Sequence, residues 1–280
     1  MIVCYTVAEL RKARARLPAP VGFVPTMGYL HAGHLALVRQ SKLENAATVV
    51  SIFVNPTQFD RADDLASYPR DVPRDLRLLE DLGVDAVFVP SADEMYPPGF
   101  KTLVRVREIT EVLEGAHRPG HFDGVATVVT KLFNIVQPDR AYFGQKDAQQ
   151  VVVVKRLVAD LNFPLEIRVV PTVREPDGLA LSSRNVRLTP EGRRAAPLLF
   201  RALSAARDAW LAGERDAERL RERVRAVLAK EPRIRLEYVS LAHPETLEEL
   251  EGEVSRGLLS LAAWIDDVRL IDNVVLEGEV

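Results

Sequence analysis

The chain has 280 residues, 47% of them hydrophobic, with 37 Lys and Arg against 40 Asp and Glu and a net charge of −3. That length spans one large or two moderate domains with a full core, and the charge balance excludes the strongly basic surface of a nucleic-acid-binding protein. A single cysteine, Cys4, excludes an internal disulfide or a Cys-based zinc site; no run approaches the roughly 20 apolar residues of a membrane span, and the first residues lack a signal-peptide pattern, so a soluble cytoplasmic protein is expected.

The first half alternates strands and helices. Val21–Val24 reads as a buried strand and His34–Ala46 as a helix, followed by the apolar run Thr48–Val54, which fits a strand covered on both faces. The spacing of Leu76, Leu78, Leu79 and Leu82 predicts a helix over 74–82 that stops at Gly83, and Val84–Val89 is a third strand. A helix is predicted over 123–136, a strand over 140–143, a helix over 148–161 and a strand over 165–170. This rhythm implies an α/β fold with a doubly wound, mostly parallel, right-handed sheet, whose ligands sit at the carboxyl ends of the strands. From residue 190 to 230 the texture becomes rich in Arg, Ala, Leu and Glu, read as two amphipathic helices broken at Gly213; three antiparallel strands follow at 234–241, 258–264 and 268–276. The expected division is 1–172 for the sheet domain and 173–280 for a smaller α+β domain, a candidate lid. Cys4, in an apolar run, is expected to be a small core residue.

The most informative segment is Pro-Thr-Met-Gly-Tyr-Leu-His-Ala-Gly-His at 25–34. It joins a strand to a helix start, where backbone N–H groups and the helix dipole favour an anion. His31 and His34 share a face on a helical first turn, and Gly33 lets a ligand approach the backbone. Asn55-Pro56-Thr57-Gln58-Phe59 forms a turn after the second long strand, with Gln58 offering donor and acceptor. Gly144-Gln145-Lys146-Asp147-Ala148-Gln149-Gln150 lies between a strand and a helix, with Lys146 as a point charge for phosphate. Leu181-Ser182-Ser183-Arg184-Asn185 supplies two hydroxyls and a guanidinium suited to a polyphosphate. The Gly/Pro-punctuated loop 114–122 holds Arg118 and His121, a pair suited to a carboxylate.

An H-x-G-H motif early in a nucleotide-binding domain and a later Ser/Arg loop are similar to those of class I aminoacyl-tRNA synthetases and related nucleotidyltransferases. With Phe53–Phe59, Tyr68-Pro69-Arg70, Phe143–Asp147 and Leu181–Asn185 in collinear order over 21–190, the chain resembles the pantoate–β-alanine ligase (pantothenate synthetase) family. The resemblance implies a Rossmann-like domain, ATP as substrate with Mg²⁺, pantoate and β-alanine as the other substrates, a pantoyl-adenylate intermediate, and a homodimer without nucleic-acid or membrane partners. It implies that Met27, Gly28, Tyr29, Leu30, His31, Ala32, Gly33 and His34 line the ATP site, with His31 and His34 on phosphates and His34 as proton donor. Lys146 and Arg184 would stabilise the phosphates, aided by Ser182 and Ser183. Gly144, Gln145, Asp147, Val173 and Leu181 would complete the nucleotide site, and Gln58 and Gln150 would grip pantoate. Asp75 is the candidate metal contact; Arg74 stands where a second carboxylate could. A different nucleotidyltransferase, acting on a phosphorylated alcohol, would use the same His pair. A non-catalytic regulator would be expected to lack the charged contacts that are retained here, and a tRNA-charging enzyme would carry a basic appended domain.

Overall fold

The structure is a computed structural model that describes residues 1–278. In chain order its first part comprises β1 (Ile2–Cys4), α1 (Val7–Arg14), β2 (Val21–Thr26), α2 (Ala32–Glu44), β3 (Ala47–Ile52), α3 (Ala62–Ser67), α4 (Val72–Asp81), β4 (Ala86–Phe88), α5 (Ala92–Met95), α6 (Glu114–His117), α7 (His121–Val136), β5 (Arg140–Gly144), α8 (Ala148–Asp160) and β6 (Glu166–Val170). The six strands form one parallel sheet in the order β1-β4-β3-β2-β5-β6. The order reverses at β2, between β3 and β5. That switch point opens a crevice beyond the strands' carboxyl ends.

Alternation along the strands distributes the core to both faces. Phe23, Val49, Phe88, Ala141 and Phe143 point toward α1, α7 and α8. Val24, Val50, Val87 and Tyr142 point toward α2 and α4. Every residue of β3 is buried, as the uninterrupted apolar run predicts. Gly22 lets α2 close on β2: a Cβ there would lie 2.1 Å from Ser41 Oγ.

The second part packs α9 (Pro190–Ala195), α10 (Leu198–Leu211) and α11 (Ala217–Leu228) against an antiparallel sheet, β7 (Ile234–Ala242), β8 (Gly257–Ile265) and β9 (Val268–Leu276), around a separate core that includes Leu203, Trp210, Leu220 and Leu261.

The structure adds one strand and one helix at the start of the chain and corrects one expectation near its end. Ile2–Cys4 is a strand, paired with β4 in the register Ile2↔Ala86, and a helix follows it. Thr6 caps that helix in a reciprocal box with Glu9, a local signal that the sequence carries. The stretch 190–230 holds three helices, not two; Thr189 caps the extra one, with Pro190 in its first turn. The break at Gly213 falls where expected, at φ +105° after α10. Cys4 is a buried core residue. Among the described residues no helix is long and apolar enough to cross a membrane.

Candidate active site

The site begins where β2 ends. The chain turns back through Gly28 at φ +80° and Tyr29 at φ +50°. A Cβ at Gly28 would lie 2.9 Å from Ile52 and 3.1 Å from an Asp75 oxygen, in a left-handed backbone conformation, so glycine is required. The turn is pinned from α4: the fully buried Asp75 carboxylate accepts the Tyr29 N–H at 2.7 Å and the Leu30 N–H at 2.8 Å. Burial pushes this carboxyl upward, against those two bonds, which favour its charge.

His31 then serves as the N-cap of α2. Its Nδ1 accepts the Gly33 N–H at 3.2 Å, while His34 Nδ1 accepts the His31 N–H at 3.3 Å. This is a capping box built from two imidazoles, with ring centroids 4.0 Å apart. Each Nδ1 is an acceptor, so a neutral ring carries its proton on Nε2. Burial, with Lys146 nearby, lowers His31 to about 4; burial, with His31 beside it, lowers His34 to about 3. Both rings are therefore neutral N–H donors at neutral pH. In this geometry each ring can donate a hydrogen bond through its Nε2–H.

These donors face a cavity of about 230 Å³ at the switch point. Thr26 and Met27 from the end of β2, Phe143 and Gly144 from β5, and Thr172 and Val173 after β6 border it, with Leu181, Ser182, Ser183 and Arg184 on another side. Lys146 Nζ lies 3.4 Å from Asp147 Oδ1. Burial raises the Asp147 carboxyl, but Lys146 and then Arg184 outweigh it and hold it below its usual range. Arg184 and Arg187 both pair with Asp64 of α3, at 2.8 and 2.9 Å. The buried Tyr68 hydroxyl meets Ser183 Oγ at 3.1 Å.

Gln58 and Gln150 also line the cavity, together with Val125, Val128, Val129 and Leu132 of α7. Gln58 is oriented by a relay: the Tyr96 hydroxyl donates to Asn55 Oδ1 at 2.7 Å, and Asn55 Nδ2 donates to Gln58 Oε1 at 3.0 Å. His121 Nδ1 donates to the Gln58 carbonyl at 2.7 Å. Burial, with Arg118 alongside, lowers His121 to about 4, so it stays neutral. Arg118 itself pairs with Asp60 at 3.1 Å. Helix α7 lies close against Asn55–Gln58 because Gly124 has no side chain; a Cβ there would lie 2.4 Å from the Thr57 carbonyl oxygen.

The cavity thus gathers Met27, His31, Gly33, His34, Gln58, Gly144, Lys146, Asp147, Gln150, Val173, Leu181, Ser182, Ser183 and Arg184. It does not gather the rest of the expected set. Leu30 is core. Gly28 is buried in the turn, Tyr29 stacks beneath the Arg74 guanidinium at 5.3 Å, and Ala32 faces outward. The Gln145 side chain points to the second sheet, donating to Asn273 Oδ1 at 3.1 Å. Asp75 is not among the residues that border the cavity; both its oxygens hold the 28–30 turn, which accounts for a buried carboxylate there without a metal. No group of three or more His, Cys, Asp or Glu positioned for a metal occurs among the described residues. Sequence reasoning misses the roles of Asn55, Tyr68 and Asp64. Asn55 and Tyr68 stand within recognised motifs, whereas Asp64 finds its partners 120 and 123 residues away.

Comparison with known proteins agrees with this geometry over the full length. The family described as Pantoate-beta-alanine ligase matches residues 2–275. A pantothenate synthetase of Chloroflexus aurantiacus (strain ATCC 29366 / DSM 635 / J-10-fl) is 65% identical over 280 residues, covering 100% of this chain and 99% of that protein. The crystal structure of pantothenate synthetase from Thermus thermophilus superposes with a TM-score of 0.95 at 51% identity, covering 99% of this chain and 100% of that one. A Francisella tularensis pantoate-beta-alanine ligase, complexed with beta-gamma ATP and beta-alanine, superposes with a TM-score of 0.81 at 37% identity, over 100% of this chain and 99% of that one.

Proposed function

The chain belongs to the pantoate–beta-alanine ligase family, and from that premise we propose how its cavity carries out ATP-dependent condensation of pantoate with β-alanine. One observation carries the reading: a single cavity at the α2 N-terminus is lined by His31, His34, Lys146 and Arg184 and also by Gln58 and Gln150.

A carboxylate is a poor acyl donor because its leaving group would be oxide. Pantoate's carboxylate oxygen attacks the α-phosphorus of ATP, the bond to the β-phosphate oxygen breaks, and pyrophosphate leaves. The β-alanine amine, having lost a proton, then attacks the acyl carbon of the adenylate and expels AMP. Charge accumulates on phosphate oxygens during the first step. The Nε2–H groups of His31 and His34, the α2 N-terminus, Lys146 and Arg184 meet that charge as fixed donors. Neutral imidazoles suit this task, since each donates through Nε2–H without repelling Lys146. Ser182 and Ser183 add hydroxyl donors, and Gly144, Asp147, Val173 and Leu181 border the nucleoside. Gln58, with its amide oxygen already taken by Asn55, turns its NH₂ donors to pantoate, and Gln150 faces it. A buried partner such as Gln58 discriminates strongly against analogues lacking a hydroxyl.

Mg²⁺ belongs to this reading as an ion carried in by ATP. The described residues provide no carboxylate cage, and phosphates with waters satisfy most of a Mg²⁺ shell; bound there, the ion would offset phosphate charge. We place the domain division at 172/173, before the segment that leads to the second core; we read the protein as cytoplasmic and, as the resemblance implies, as a homodimer.

Purified protein with ATP, Mg²⁺ and pantoate, with and without β-alanine, tests the function by following AMP, pyrophosphate and pantothenate. Stoichiometric AMP and pantothenate only with β-alanine present is the expected result. A folded, ATP-binding protein that releases no pantoate-dependent pyrophosphate would overturn the substrate assignment.

A further inference from the structure

Lys146 is a long, flexible side chain, and its usefulness at the phosphates depends on where its backbone is held. The local sequence does little to hold it. Gln145–Asp147 is a three-residue 3-10 turn between β5 and α8, and neither that turn nor α8 has a side-chain cap. The fastening comes from the other sheet. Asn273, in the middle of β9 and 4% exposed, donates from Nδ2 to the Gln145 carbonyl at 3.0 Å and to the Lys146 carbonyl at 2.9 Å. Its Oδ1 accepts from Gln145 Nε2 at 3.1 Å. One amide thus closes three bonds across 127 and 128 residues of chain and leaves none of its polar atoms unpaired.

The amide is itself held rigidly. Asn273 pairs with Ser260 of β8 in the sheet register. Its neighbour Asp272 takes a bidentate grip from Arg174, at 2.6 and 2.9 Å, and accepts the Asn273 N–H at 2.8 Å. The Arg174 guanidinium lies 3.6 Å from the centroid of the Phe200 ring. No other side chain of similar size serves: aspartate would turn an acceptor toward two carbonyls, leucine supplies neither donor nor acceptor, and glutamine is one methylene too long for the gap.

We propose that Asn273 is a positioning residue for the reaction, acting through the Lys146 backbone, with Gln145 as its reciprocal partner. This rests on the reading of Lys146 as a phosphate-binding cation. Gln145 then belongs to the site as a fastener rather than as a nucleotide contact. A turn released by about 1 Å costs on the order of 10²-fold in rate.

A rate cycle tests this. Pantoate-dependent pyrophosphate release is measured in single turnovers for the wild type, Asn273→Ala, Lys146→Ala and the double variant, with ATP affinity by calorimetry on the same four proteins. Asn273→Ala is expected to slow adenylation on the order of 10²-fold, and to cost less than about threefold more once Lys146 is already alanine. General loosening would persist in the Lys146→Ala background, because α8 also carries Gln150. Losses that multiply fully in the double variant, or an Asn273→Ala enzyme of unchanged rate, would overturn the proposal. If Lys146→Ala alone keeps the wild-type rate and ATP affinity, the reading of Lys146 falls instead. Should Asn273→Ala not fold, Gln145→Leu removes one of the three bonds and enters the same cycle, with a smaller loss that Lys146→Ala must again absorb.

Discussion

Asp75→Asn separates two tasks that a carboxylate at this position could perform. The residue is fully buried and accepts two backbone N–H bonds, at 2.7 and 2.8 Å, from consecutive residues of the turn that leads into the His31 cap. Asparagine keeps the shape but has one acceptor oxygen. Its NH₂ faces the second N–H, donor against donor, and the charge is gone. Hydrogen bonds to a charged group contribute about 1.5–3 kcal/mol each, and a buried donor left unpaired costs about 1–3 kcal/mol. Losing one bond outright and weakening the other gives a destabilisation of about 3 kcal/mol, which corresponds to a fall in Tm of roughly 6–12 °C for a domain of this size. The turn also sets His31 and His34, so ATP affinity should fall on the order of tenfold, a loss of about 1.4 kcal/mol. Thermal unfolding, ATP calorimetry and a Mg²⁺ titration at saturating ATP are the assays. The concentration of Mg²⁺ giving half-maximal rate should stay where it is in the wild type. An unchanged Tm together with a large rise in that concentration would refute the geometry and return Asp75 to the metal.

Acid should destabilise the fold through its buried imidazoles. His31 and His121 are lowered to about 4 and His34 to about 3, so the unfolded chain takes up protons below about pH 6.5 that the native state refuses; stability is full above that pH and falls toward pH 4 by up to about 1.4 kcal/mol per unit per histidine, and a Tm that stays flat from about pH 7 to about pH 4.5 would contradict this. Gly124→Ala should push the Asn55–Gln58 turn away from α7, because its Cβ would sit 2.4 Å from the Thr57 oxygen and 2.7 Å from the Gln58 Cα. Overpacking of this kind costs about 1–3 kcal/mol, and the KM for pantoate should rise about tenfold or more with ATP affinity little changed; an unaltered KM for pantoate would show that Gln58 is not held from α7.

What a short motif encodes decides how much of the fold and site can be read from it. Runs such as Thr48–Ile52 and the strand–turn–helix at 21–34 betray themselves because burial and backbone geometry leave a local trace in residue type. A three-residue strand such as Ile2–Cys4 leaves almost none; its pairing with Ala86–Phe88 exists only once the sheet has formed. Side-chain direction is harder still. Gln145 and Lys146 are neighbours in one motif, yet one reaches Asn273 and the other the cavity. Asp75, at the start of a helix, has a favourable position against the dipole whichever way it points, and its partners lie 45 and 46 residues back. Asn273 interrupts a largely apolar strand and carries no local mark of its task. The residues expected to touch substrate therefore come from short recognisable segments, while some that aim them, such as Asp75 and Asn273, lie 45 to 128 residues away. That separation has a physical cause. The 31–34 turn caps itself with its own imidazoles, whereas neither Gln145–Asp147 nor α8 has a side-chain cap, so the turn that carries Lys146 is fastened from a distant strand.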